Sequence, residues 1–193
     1  MTDVEEIVAA IKLLRDELGR VVVGVSGYAG AGKSTLAHRV LDAVDDSVRL
    51  RGDDFLDPRR SHQRSDDWDG VERHRLRTEV LEPFRAGRPA VFRPLDWSTR
   101  QLGEPTPLPQ ASVLVVDAVG LLHPELLPCL DLTVWIVVDL EVAQARGMAR
   151  DRAAGRDHDR LWTEVWTPND RQFEHMFAPS AQADIRYTPD DEP

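Results

Sequence analysis

The stretch "VVVGVSGYAGAGKSTL", Val21 to Leu36, decides the fold. A short β-branched run reads as a strand buried on both faces. It passes into a glycine-rich turn, and from Lys33 the apolar positions Leu36, Ala37, Val40, Leu41 and Val44 recur at helical spacing. Strand, glycine turn and helix follow one another without a gap. Lys33 is one of only two lysines in the chain, with Lys12, although arginine is plentiful.

Working outward, Val4, Ile7, Val8, Ile11, Leu14 and Leu18 predict an amphipathic helix over residues 3–18, stopped by Gly19. Further strands are expected at 47–50, at "SVLVVDAVG", at "LTVWIVVD" and at "ADIRY", with a short one in "PAVFR". Helices are expected over 71–86, 140–153 and about 160–177, Pro83 marking an end or a kink in the first of them. The proline-rich residues 94–110 read as loop. Strands alternating with helices predict an α/β fold, a parallel sheet covered on both faces, whose ligands bind beyond the carboxyl ends of the strands. The glycine turn and Asp117 directly follow expected strands, and Asp53 lies slightly beyond a third.

Composition narrows the class. The chain has 193 residues, 41% hydrophobic and 30% charged, a balance expected of one domain. Its formal net charge of −10 argues against broad binding to a nucleic-acid backbone. No apolar run approaches a membrane span, and "MTDVEEIVAA" lacks the layout of a signal peptide. A cytoplasmic protein with no nucleic-acid or membrane partner is expected; a homo-oligomer is left open, because "LTVWIVVD" reads equally well as internal. The single cysteine, Cys129, reads as buried or incidental, and the histidines show no spacing for a zinc site. Residues 1–187 are expected to form the domain and 188–193 a flexible acidic tail.

Gly27-Tyr28-Ala29-Gly30-Ala31-Gly32-Lys33-Ser34 fits G-x-x-x-x-G-K-[ST]. Such a loop aims consecutive backbone N–H groups into one nest, to which the following helix adds its positive end. Lysine reaches the β- and γ-phosphates and the serine hydroxyl binds Mg²⁺. A compact ammonium suits that narrow place better than the broad arginine fork. The pattern predicts a nucleoside triphosphate held by residues Gly27 to Thr35, with Thr35 next to the metal-binding Ser34. No guanine-reading N-K-x-D stretch occurs.

In order, "GVSGYAGAGKSTLA", "LRGDDFLDP", "DDWDGVERHRLRTEVLEPFRAGRPAVFRPLDW", "VLVVDAVGLL", "ARGMARDRAAGRD" and "ADIRY" resemble segments of the uridine kinase and phosphoribulokinase-like family of P-loop kinases, the bacterial uridine kinase-like branch in particular. The resemblance covers roughly residues 20–187. It implies a P-loop kinase domain that uses Mg²⁺ and ATP, or another nucleoside triphosphate, to phosphorylate a hydroxyl of a small acceptor, a nucleoside first of all. Another small alcohol or a nucleoside monophosphate is the runner-up, for which Arg59, Arg60, Arg64, Arg93 and Arg100 could supply basic contacts. A nucleotide-binding regulatory protein with little turnover is the alternative of a different class.

The resemblance also implies roles. Asp53 is the base facing the acceptor and the metal, with Asp54 as fallback. Asp117 joins Ser34 and Asp53 at Mg²⁺, an aspartate where relatives usually carry glutamate. Asp67 (with Asp69 competing), Asp96 and Arg100 face the acceptor; Leu95 replaces the tyrosine of the family's Y-D element, and Arg100 stands where relatives place a histidine. A lid at about 147–160 brings Arg150 and Arg156 over the phosphates, Gly147 replacing an arginine used by many nucleoside kinases. The stripe Trp162, Trp166, Phe173 and Phe177 reads as core, with stacking on an acceptor ring as the alternative.

Overall fold

The computed structural model describes residues 3–189, so the acidic tail expected at 188–193 lies outside the described residues from 190 on. Helix α1 (Val4–Leu18) is capped by the Asp3 carboxylate, which accepts the Glu6 amide, and stops at Gly19 in the left-handed conformation. Strand β1 (Val21–Ser26) follows, then the glycine turn, α2 (Lys33–Ala43) and β2 (Ser47–Arg51). A helix over 73–85 (α3) precedes β3 (Val113–Asp117) and β4 (Leu132–Ile136). Helix α4 (Leu140–Ala153), a helix over 159–177 (α5) and β5 (Ile185–Tyr187) complete the order.

The five strands form one parallel sheet in the order β2-β3-β1-β4-β5. Its two faces are dry. Val21, Val23 and Val25 pack with Ile7 and Ile11 of α1 and Leu36 and Val40 of α2. Val22, Leu114 and Val116 pack on the opposite side with Leu76, Val80 and Phe84 of α3. Alternate β1 residues therefore serve different layers, which is why its sequence is apolar without a break. A third cluster, Trp68, Val71 and Phe173, joins the segment before α3 to α5. The expected strand in "PAVFR" is Val91–Phe92, which pairs with Thr106–Pro107 outside the main sheet. Cys129 is buried.

Pro83 neither ends nor sharply breaks its helix. The helix widens to a π segment at Arg77–Leu81 and then continues to Arg85. Helix α5 does the same, with a π segment at Trp162–Trp166 two residues before Pro168. Proline removes a donor and crowds the carbonyl four residues back, and in both helices the wider turn comes directly before it. Among the described residues no helix is long and apolar enough to cross a membrane.

Candidate functional site

Strand β1 lies between β3 and β4 in the sheet, and a cleft opens beyond its carboxyl end. Its volume is about 960 Å³. The glycine loop, the turn after β2, the end of β3, helix α4 and the aromatic residues of α5 all reach it.

Lys33 opens α2. Its ammonium donates to the carbonyls of Gly27 (3.0 Å) and Tyr28 (2.8 Å), folded over its own loop. Burial lowers its pKa, opposed by the charges of Asp170, Asp53 and Asp117. Gly30 has φ +84°, and a Cβ there would run into the carbonyl of Ala143 on α4. A side chain at this position is excluded by conformation and by space, so the loop lies directly on α4.

At the end of β3, Asp117 accepts the Ser34 hydroxyl at 2.8 Å. It also accepts a two-pronged bond from Arg49 of β2, 2.7 Å from Nε and 2.8 Å from the terminal nitrogen. Arg49 was not among the residues picked from the sequence. It stands four residues before Asp53 on an edge strand, and its pairing across to β3 needs the register Arg49↔Val115 and Arg51↔Asp117. Asp53 lies in the short turn after β2, is exposed, and lines the cleft. Its neighbour Asp54 is half-buried and off the cleft wall, and burial pushes its carboxyl above the usual range.

Ser34, Asp53 and Asp117 are oxygen donors, the chemistry that Mg²⁺ takes. The Ser34–Asp117 bond fits a cation held by the hydroxyl, with Asp117 acting through the hydroxyl or through water while Arg49 engages both its oxygens. Among the described residues no group of three or more His, Cys, Asp or Glu could hold a metal. Mg²⁺ usually keeps several waters and takes few protein ligands beside the phosphates of its nucleotide.

Two arginines of the segment expected to form the lid converge on one acid. Asp151 is buried and accepts the indole N–H of Trp162 at 3.0 Å, with His158 Nδ1 at 3.1 Å. Arg150 and Arg156 reach it at 3.3 and 3.7 Å. Burial works against its ionisation, yet the bonds from Trp162 and His158 and the two arginine charges hold its carboxyl below the usual range. Arg146, Arg150 and Arg156 all line the cleft. Gly147 has a structural reason. A Cβ at this position would overlap the Trp162 ring, which lies flat against the helix backbone. Gly147→Ala is expected to cost about 2–4 kcal/mol, from overpacking and from displacing the buried Trp162–Asp151 bond. A urea-denaturation midpoint equal to that of the unaltered chain would contradict this packing.

The far wall is aromatic. His62 lies between Trp97 (6.2 Å between ring centres, near-parallel) and Trp166 (5.9 Å), and Trp166 meets Trp162 edge-on at 5.0 Å. Burial, then the charge of Arg100, lowers the His62 pKa. Trp162 is buried, as expected of the stripe, and Trp166 is half-buried; both line the cleft. Arg51 and Arg100 also line it.

Some residues picked from the sequence stand elsewhere. Gly27, Tyr28 and Ala31 form the loop's frame without lining the cleft. Asp67 is off the wall, where it accepts the Ser65 hydroxyl at 3.0 Å and pairs with Arg73 at 3.7 Å. Asp96 caps its own turn, accepting the Ser98 amide (2.8 Å) and hydroxyl (2.7 Å), and these bonds hold its carboxyl below the usual range. Of the five arginines considered for an anionic acceptor, Arg100 lines the cleft. Arg60 pairs with Asp57, Arg64 donates to Asn169, and Arg93 donates to the carbonyls of Gly103 and Leu102.

Sequence reasoning also passed over Asp170, a buried acid on α5. Burial pushes its carboxyl up to about 7, against the Lys33 charge and hydrogen bonds from Ala29 and Trp68. The unfolded aspartate titrates near 3.8, so the folded chain holds this proton more tightly. Stability from this group is therefore greatest at low pH and falls as pH rises through about 7. The unfolding free energy of the wild type minus that of Asp170→Asn is expected to decline from pH 5 to pH 7, about the window these values define. Urea titrations across that window check it; a gap that stays constant with pH would mean that the acid is ionised throughout.

A parallel five-stranded sheet in this order, flanked by helices and carrying a glycine loop after its central strand, is the fold shared by solved structures of P-loop kinases. A candidate uridine kinase from Bacillus stearothermophilus matches with a TM-score of 0.68 at 13% identity, over 94% of this chain and 99% of that one. A candidate fructose transport system kinase from Silicibacter sp. TM1040 matches with a TM-score of 0.73 at 19% identity, over 97% and 100%. A candidate P-loop kinase with a circular permutation from Saccharomyces cerevisiae matches at 0.71 and 11%, over 98% and 100%. Among curated proteins, uridine-cytidine kinase C of Dictyostelium discoideum is 26% identical over 147 residues, 73% of this chain and 32% of that protein. The chain thus spans about a third of the length of that relative. No protein-family model matches the chain.

Proposed function

We propose that the chain is a phosphotransferase that moves the γ-phosphoryl group of Mg·ATP to a hydroxyl of a small acceptor, a nucleoside of the uridine or cytidine kind first of all. The observation that carries this reading is the convergence of Lys33, the Ser34–Asp117 pair, Asp53 and the lid arginines on one cleft. Phosphoryl transfer asks the protein mainly for positioning and charge. Lys33 and the loop amides hold the donor phosphates, and Ser34, Asp53 and Asp117 hold Mg²⁺, which neutralises charge on the transferring group. Asp53 orients the acceptor hydroxyl or takes its proton. Arg150 and Arg156 exchange Asp151 for the phosphates as charge develops. The aromatic wall of Trp97, His62 and Trp166 favours an acceptor that carries a ring.

A second reading has its own observation. Asp67 and Asp96, the acids expected to take acceptor hydroxyls, are engaged off the wall, while Arg51 and Arg100 are on it. That pattern favours an anionic acceptor, a nucleoside monophosphate or another small acidic alcohol. An ATP-consumption screen over nucleosides, monophosphates and small alcohols decides between them. Turnover with an anionic alcohol and none with nucleosides selects the second reading. Nucleotide binding with no transfer to any acceptor selects a regulatory protein and overturns both.

A further inference from the structure

Asp170 touches neither the cleft nor its solvent, yet both its oxygens are used over long stretches of chain. Oδ2 accepts the backbone N–H of Ala29 in the phosphate loop at 2.8 Å. Oδ1 accepts the indole N–H of Trp68 at 3.0 Å. Ala29 and Trp68 both line the cleft, Ala29 from the donor loop and Trp68 from the segment before α3.

Two neighbouring facts give this bridge its weight. Trp68 has φ +58°, a left-handed conformation. A tryptophan held so costs roughly 1–3 kcal/mol and persists only where its surroundings fix it. The adjacent Asn169, also buried, engages the same segment: it accepts the Ser65 amide at 2.9 Å and donates to the Gln63 carbonyl at 2.9 Å. One turn of α5 thus grips residues 63–68 and, through one carboxylate, the phosphate loop. The charge of Lys33 faces the same acid.

We propose that Asp170 is a positioning residue that couples the nucleotide loop to the Trp68 wall of the cleft, so that loss of the Trp68 indole donor is felt as weaker nucleotide binding. The inference rests on the nucleotide-binding half of the proposed function. Its form is a carboxylate that needs both donors in place. With Trp68 gone, Asp170 is free to rotate away from Ala29, and the loop loses the strut that sets its spacing from the wall.

The experiment is a double-variant cycle read by calorimetric titration with the non-hydrolysable ATP analogue AMPPNP and Mg²⁺. Trp68→Phe is expected to weaken binding about 3- to 10-fold in the wild-type background and by less than about 2-fold in the Asp170→Asn background. A role confined to stability would shift the melting temperature in both backgrounds and leave the two affinity effects equal. Equal effects, or none from Trp68→Phe, overturn the coupling. If Asp170→Asn does not fold, Asp170→Glu takes its place: it keeps a carboxylate but moves it, so the Trp68→Phe effect must shrink relative to wild type, and an unchanged effect overturns the proposal. Failure of the unaltered chain to bind Mg·AMPPNP overturns the nucleotide reading and the coupling with it; normal binding with additive variants overturns the coupling alone.

Discussion

Lys33→Ala is expected to lower turnover about 10²–10³-fold or more while leaving the chain folded. The ammonium sits at the head of α2 and is already tied to the carbonyls of Gly27 and Tyr28. It is therefore held within the nest before any phosphate arrives, and little reorganisation is needed when charge develops. Alanine leaves those two carbonyls to water from the cleft, a small loss, but leaves the β- and γ-phosphates without their nearest cation. Lys33→Arg is not expected to rescue, because the planar fork cannot enter a loop that lies against the backbone of α4. Phosphoryl transfer and nucleotide affinity, measured beside the melting temperature, check the result. Activity unchanged in Lys33→Ala would remove the phosphate-loop assignment altogether.

The second large effect is expected at Asp53. Asp53→Asn keeps the shape of the side chain and removes its charge and its capacity to accept a proton. Transfer should fall about 10²–10⁴-fold, the range for a positioned general base, whereas nucleotide affinity changes by less than about threefold. Asp53 is the acid of its pair that faces the cleft; Asp54 is half-buried beside it and off the wall. Asp54→Asn should accordingly cost much less transfer than Asp53→Asn. The reverse order in single-turnover measurements would move the role to Asp54.

The donor side was legible because its chemistry is local. A β-branched run, three glycines, a lysine and a helix lie within one continuous stretch, and each has a single physical reading. The sheet was legible for the same reason: buried parallel strands announce themselves as unbroken apolar runs. What stayed hidden is held by pairings over long separations. Arg49 meets Asp117 across 68 positions, and Asp170 meets Trp68 across 102 and Ala29 across 141. No periodicity within a window reports such pairs. Asp67 and Asp96 are placed at the acceptor by likeness alone, and each has local partners: Ser65 and Arg73 for the first, Ser98 for the second. Pro83 marks an end or a kink in the sequence, whereas the chain widens a turn before it, as it does before Pro168, and carries the helix on.

The glycine against the Trp162 ring ties two positions fifteen residues apart into one unit of exchange. An arginine placed alone at 147 meets the ring at its own Cβ. A small residue placed alone at 162 frees the position, but strips Asp151 of the indole donor that helps keep it ionised beside Arg150 and Arg156. An arginine at 147 therefore needs a change at 162 together with a new donor for Asp151.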